Sequence, residues 1–495
     1  MILHPFLFSL FPVFSLWAQN LGELSPMSAL FLTIIAIVLS AVVFLLSRPV
    51  FRTWSKASIV SSTALFLFFS FGHVYDFLLS FHLNFINYFS LLSLWVLIFT
   101  AIAYVTFKTE RNLRDVHTTL FIMAAVLIAL SVFSIGMNLF SKVSDSDENS
   151  MVKNDIVLSS PGVLPDIYYI VLDQYASNWT LENFYNYDNA DFTAFLGKLG
   201  FLVDQKSLSN YSVTAFSLFS ALNMDYIQNL NPSDLNKQIK DHAVGKSLKG
   251  LGYRYVHFGS EWEITAYNPY ADKNVNKNSL SESLITIYKK TALYPVAYVI
   301  GLDSWFTRRV QRNRILYQFD ELEEIPKLKE PTFTFVHLGV PHAPFVFNRD
   351  GSLRTEELAP PAGWLHNPNV YLDQLIFTTE RVKKALEKIV AEYGDSSIIV
   401  LQSDHGSKTF SLEGVSSVDL ISDDALRNHF RNFSAYRLPN IDEKALPESV
   451  TPVNIFRIVF SRYFGADLEM LPNISYMSIN ESEHGFVDVT KRVVY

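Results

Sequence analysis

Apolar residues crowd the first third of this 495-residue chain in five long stretches, roughly His4 to Ala18, Ser28 to Leu46, Ser58 to Ser80, Tyr88 to Phe107 and Thr118 to Leu139. Each is close to the ~20 apolar residues a bilayer requires, so residues 1–140 read as a transmembrane region of five helices. The first stretch is short and has no basic start, unlike the charged n-region of a secretory signal. Arg48, Arg52 and Lys56 follow the second stretch, and Lys108, Arg111 and Arg114 follow the fourth. The loops after the first and third carry no Lys or Arg. The positive-inside rule therefore puts the N-terminus in the cytoplasm and everything beyond the fifth span outside it. His73 and Asp76 fall near the outer end of the third stretch. Ionisable groups are costly in a membrane, so the pair is either solvated in the headgroup layer or holds a lipid headgroup.

From Ser141 to Leu164 the chain turns to Ser, Asp, Glu, Asn and Pro without any period, which is the composition of a linker. Residues 165–495 alternate short β-branched runs with helical periods. Ile167–Leu172, Phe333–Leu338 and Ile398–Gln402 read as buried strands, and Gly252–Ser260 as a strand and turn. Phe192–Leu199 reads as a helix stopped by Gly200, and Leu372, Leu375, Ile376, Val382, Leu386 and Ile389 mark the apolar stripe of another. Thr451-Pro452 opens a helix that Gly465 closes. This alternation predicts an α/β sandwich built on a largely parallel sheet.

Composition narrows the chemistry. Residues 141–495 carry a formal charge of −10, which speaks against a nucleic-acid footprint. With no cysteine there are neither disulfides nor thiolate metal sites. What remains are polar residues at strand ends, where ligands bind in α/β sheets. Asp173 follows the first strand, and Asp404-His405-Gly406 follows the Ile398 strand. Ser212, Thr214 and Ser217 sit at the start of an apolar helix, where free N–H groups favour an anion. One hydroxyl suffices to cap that helix. His342, between Pro341 and Pro344, lies on a stiffened loop suited to a ligand or phosphate contact. His257 is either a buried strand residue or a substrate-binding one. Carboxylate, hydroxyl and imidazole together suit a divalent metal and attack on a phosphoryl or sulfuryl centre.

On these residues the sequence resembles the alkaline phosphatase and sulfatase superfamily. It is most similar to the membrane-anchored branch that includes the lipid A phosphoethanolamine transferases and lipoteichoic acid synthases. Thr214-Ala215-Phe216-Ser217 is similar to the Thr-Ala-x-Ser around the nucleophile of the former, and His342 in His-Ala-Pro-Phe looks like the phosphate-contacting histidine. Arg427 to Tyr436 resembles the stretch leading into the next sheet strand. The resemblance implies five spans and an outward-facing sulfatase-like α/β/α sandwich in a bacterial cytoplasmic membrane. It implies a metal, zinc or manganese, held by Asp173, Thr214, Asp404 and His405, with Thr214 as nucleophile and His342 contacting substrate. It further implies a phospholipid donor and an envelope glycan or lipid acceptor, with a hydrolase of the same fold, or a non-catalytic envelope-assembly protein, as alternatives. The Cys/Ser-x-Pro-x-Arg motif of formylglycine sulfatases is missing, and Ser407-Lys408 replaces the Glu-Ser-Leu-Gly run of phosphoethanolamine transferases.

Overall fold

The computed structural model describes residues 2–19, 24, 26–81, 87–145, 156, 158–230, 234–276, 282–355, 368–410, 412, 414–441, 446–478 and 485–494. Much of the expected linker, residues 146–155 and 157, lies outside the described residues. The chain divides into two compact units: Met1–Val152 with Leu280–Phe306, and Lys153–Ser279 with Thr307–Tyr495.

The first unit contains α1 (His4–Gln19), α2 (Pro26–Phe51), α3 (Trp54–Ser80), α4 (Tyr88–Lys108) and α5 (Arg114–Asp145). α2 to α5 are long and apolar enough to cross a membrane. α1, at 16 residues, is about 24 Å long, short of the ~30 Å hydrocarbon thickness. It packs against α2, α3 and α5. Its buried His4 bonds through Nδ1 to Ser62 Oγ (2.5 Å) and through Nε2 to His117 Nδ1 (2.9 Å). His117 Nε2 in turn meets Ser55 Oγ at 2.7 Å. These polar groups join α1, α3 and α5 and satisfy one another.

The second unit is built on a seven-stranded sheet: β1 (Ile167–Leu172), β2 (Leu202–Val203), β3 (Arg254–Phe258), β4 (Lys273–Val275), β5 (Thr332–Leu338), β6 (Ile398–Gln402) and β7 (Ser434–Arg437). Their spatial order is β2-β7-β6-β1-β5-β3-β4, with β7 alone running against the rest. β1 lies between β5 and β6, and all six of its residues are buried because helices cover both faces. Tyr168, Ile170 and Leu172 join one core with helix Pro368–Tyr393, while Ile167, Tyr169 and Val171 join the other with helices Thr214–Asn223 and Pro452–Tyr463. The predicted α/β/α sandwich is therefore observed, with β1, β5 and β6 where the apolar runs put them.

Candidate metal centre and nucleophile

Parallel pairing of β1 with β6 brings the carboxyl ends of both strands to one sheet edge. Asp173 leaves β1 there, and Asp404-His405 leaves β6. The turn after β1 places Gln174 in the left-handed region (φ 61°), unusual for a non-glycine residue, and its N–H donates to Asp404 Oδ1 at 3.0 Å. Ligand atoms of Asp173, Asp404 and His405 all fall within 4.8 Å of one another. Asp173 Oδ1 and Asp404 Oδ2 are buried and accept no hydrogen bond. Two buried carboxyl oxygens without partners in one place are costly, and a divalent cation satisfies both, so the donor set fits a metal. Burial, then the neighbouring Asp404 and Glu261 charges, push Asp173 well above the ordinary carboxyl range. Burial acts on Asp404 in the same sense, but its polar neighbours, the Gln174 N–H and the Thr214 hydroxyl among them, outweigh it and hold that carboxyl low.

His405 is fully enclosed, and burial draws its pKa down to about 3, so the ring is neutral. Its Nδ1–H donates to Gly406 O at 2.8 Å, which leaves the Nε2 lone pair as the ligand atom. That Nε2 lies 3.1 Å from Asp404 Oδ2 and 3.3 Å from Thr214 Oγ1. Thr214 is the first residue of its helix, and the N-cap is Val213, which has no side chain to cap with. The three candidate hydroxyls separate here: Ser212 Oγ bonds to Met477 Sδ and Ser217 Oγ to the Asp404 carbonyl, whereas Thr214 faces His405.

His342 is tied to the same edge. Its N–H donates to Asp173 O (3.1 Å), and Gln374 Nε2 donates to its carbonyl (2.8 Å). Burial lowers its pKa, while the Ala343 carbonyl and the Glu261 and Asp404 charges act the other way. His257 is not gathered with these residues. It is 3% exposed, with Nδ1 bonded to Tyr255 OH and Nε2 to Thr265 O. His73 and Asp76 belong to the first unit, where Asp76 is paired with Lys290.

Sequence reasoning passed over three neighbours of the site. His337, inside β5, turns Nε2 toward Asp173 Oδ2 at 3.7 Å, and Thr265 Oγ1 engages its Nδ1 at 2.9 Å. Glu261 lies three residues beyond β3, paired with the 1%-exposed Arg314. Lys408, in a left-handed turn, adds positive charge near Asp173, His342 and His405. A carboxylate just past a third parallel strand was the available signal for Glu261.

A doubly covered α/β sheet with a metal-ready cluster and a helix-N-terminal hydroxyl at its ligand-binding edge has the organisation of a phosphate- or sulfate-ester enzyme. Residues 165–456 match the sulfatase family model, and the chain belongs to that family. The structure is similar to the C-terminal periplasmic domain of EcEptC from Escherichia coli in complex with Zn (TM-score 0.45, 12% identity, covering 67% of this chain and 94% of that one). It is also similar to the integral membrane protein lipooligosaccharide phosphoethanolamine transferase A from Neisseria meningitidis (TM-score 0.41, 14% identity, 92% and 94% covered). A third is the lipoteichoic acid synthase LtaP from Listeria monocytogenes (TM-score 0.39, 13% identity, 67% and 79% covered). Comparison with curated protein sequences gives no match.

Proposed function

We propose that the protein is a metal-dependent transferase of the bacterial cytoplasmic membrane, with an extracytoplasmic catalytic unit, that moves a phospho-headgroup from a phospholipid to an alcohol on an envelope glycan or lipid. The observation that carries this reading is Thr214 Oγ1 at 3.3 Å from His405 Nε2, beside two carboxylate oxygens without partners. Asp173, Asp404, His405 and Thr214 offer three oxygen donors and one nitrogen, a set that suits zinc or manganese. Once bound, such an ion lowers the pKa of the threonine hydroxyl and offsets charge on the transferring group.

The Thr214 hydroxyl releases its proton to solvent as its oxygen bonds to phosphorus, and the phosphorus–oxygen bond to the lipid glycerol breaks. His342 in its imidazolium form gives its proton to the departing oxygen, and the phosphate charge arriving beside it favours that form. An acceptor alcohol then attacks phosphorus, giving its proton to the now neutral His342, while the Thr214 oxygen–phosphorus bond breaks and the threonine oxygen takes a proton from solvent. The helix N-terminus at Thr214 adds a partial positive charge beside the developing anion.

Intact mass and metal content of the full chain in detergent, after incubation with mixed phospholipids, test this. A bound divalent metal and a headgroup-phosphate adduct are expected in the wild type. The adduct is absent from Thr214→Ala, and the metal is lost from Asp404→Asn. A wild-type protein that holds no metal and gains no mass overturns the reading. Release of free headgroup phosphate with no labelled acceptor assigns the site to hydrolysis instead.

A further inference from the structure

Residues 280–306 come from the middle of the soluble sequence, yet they belong to the unit formed by α1 to α5. They contain two short helices, Glu282–Lys290 and Leu293–Val299. Leu284 and Ile287 of the first pack against Val13, Ala29, Leu32 and Ala36 of α1 and α2. Between the two helices, Ala292 N–H donates to Phe68 O at 2.8 Å. A Cβ on Gly72 would lie 2.6 Å from Lys290 Cα, so only glycine lets the two backbones approach this closely. Lys290 pairs with Asp76. Tyr294 and Tyr298 set their rings 5.9 and 5.8 Å from that of Tyr88, at the start of α4.

Depth identifies what covers the remaining face. Phe68 is twelve residues before the end of α3, about 18 Å along its axis, while one leaflet of hydrocarbon is about 15 Å deep. A segment bonded to Phe68 therefore sits below the headgroups if α3 spans the bilayer. The sequence agrees, because the twelve residues Thr291–Leu302 contain no charged side chain. Leu293, Val296, Val299, Ile300 and Leu302 are 41–67% exposed among the described residues. Tyr288, Lys289 and Lys290 precede this apolar run, as at a membrane interface.

We propose that residues 282–302 are a monotopic helical hairpin embedded in the leaflet that faces the catalytic unit, with Val296, Val299 and Ile300 among acyl chains and Lys289 at phosphate level. The soluble sequence thus returns to the membrane after β4 and leaves it again before β5.

The chain has no cysteine, so single-cysteine variants each carry one label. Val296→Cys, Ile300→Cys, Phe133→Cys in α5 and Leu420→Cys in the catalytic unit would be labelled with an environment-sensitive fluorophore. The full chain would then be placed in phosphatidylethanolamine/phosphatidylglycerol nanodiscs. Expected is several-fold stronger quenching by an acyl-chain spin label at 296 and 300 than at 420, with iodide giving the reverse order. Iodide access at 296 and 300 equal to that at 420 overturns the proposal. It rests on α5 lying in the bilayer, and Phe133→Cys separates the two failures: lipid quenching at 133 but not at 296 sinks the hairpin alone, and quenching at neither sinks both. Amide exchange of the unlabelled chain guards against effects of labelling. Slow exchange over 291–302 in nanodiscs is expected, and free exchange there overturns the proposal.

Discussion

At Gly406 there is room for a hydrogen and nothing larger. A Cβ would lie 2.0 Å from the Asn428 carbonyl oxygen, a contact that only backbone movement relieves. Gly406 also supplies the carbonyl that fixes the His405 tautomer. Gly406→Ala is therefore expected to weaken metal binding on the order of 10- to 100-fold, as loss of a supporting partner does. Metal titration of the purified chain measures it, with Gly250→Ala as control, since no atom lies within 4 Å of a Cβ there. Equal affinities in Gly406→Ala and wild type would refute the link. Asp173, Asp404 and His405 were legible from sequence because Asp173 directly follows the β1 run, and Asp404 and His405 follow the β6 run after a single serine. Glu261 was not, because Gly259 and Ser260 end the β3 pattern before it, and its partner Arg314 is 53 residues on. His337 reads from sequence as buried strand filler, and only β1–β5 pairing reveals that it faces Asp173.

Single residues gain their effect through the elements they join. β3 and the helix Ala243–Gly250 are linked by buried hydrogen bonds from His242 Nε2 to Tyr255 OH (3.1 Å) and from Tyr255 OH to His257 Nδ1 (3.1 Å). His242 Nδ1 also caps that helix by accepting from Gly245 N–H, so the imidazole must be neutral to do so. Burial lowers the pKa of His242 to about 3 and of His257 to about 4, and does the same at His429, to about 4. The unfolded chain protonates these rings near pH 6.5 and the folded one does not, so the unfolded state binds more protons between pH 6.5 and about 4. Stability is thus unaffected by them above pH 7 and falls as pH drops through that window, at up to ~1.4 kcal/mol per pH unit for each histidine. Asp173, with its raised pKa, works in the opposite sense. Comparing wild type with His429→Gln cancels that contribution. The variant should show a slope shallower by about one proton in denaturation measured from pH 7 to 4. Identical slopes would mean that His429 titrates in the folded protein. The elements themselves were readable where burial on both faces makes an uninterrupted apolar run, as in β1 and β6. β2 and β4, of two and three residues, are too short for any period.

Across the whole molecule, the return of residues 280–306 to the first unit could not be read from sequence. Thr291–Leu302 is too short for a span, and Lys289-Lys290 breaks the apolar pattern before it. The chain passes from one unit to the other three times, near residues 152, 279 and 306. All the proposed metal ligands lie in the second unit, just past β1 and β6 and at the start of helix Thr214–Asn223. Removing a metal should consequently act on one unit only. Bound metal stabilises the folded form by ~4 kcal/mol when free metal is a thousandfold above its Kd, and a chelator removes that term. For a unit of this size it corresponds to a fall of at least several degrees in Tm. Scanning calorimetry of the full chain in detergent should give two transitions, since separate cores need not unfold together. EDTA should lower one of them and leave the other in place. Zinc or manganese should restore it better than magnesium, which binds nitrogen poorly. Asp404→Asn should begin with the lower transition and ignore the chelator. If EDTA shifted both transitions together, the two units would be unfolding as one, and the independence argued from their separate cores would fail. If it shifted neither, the orphaned oxygens of Asp173 and Asp404 would need a partner other than a metal.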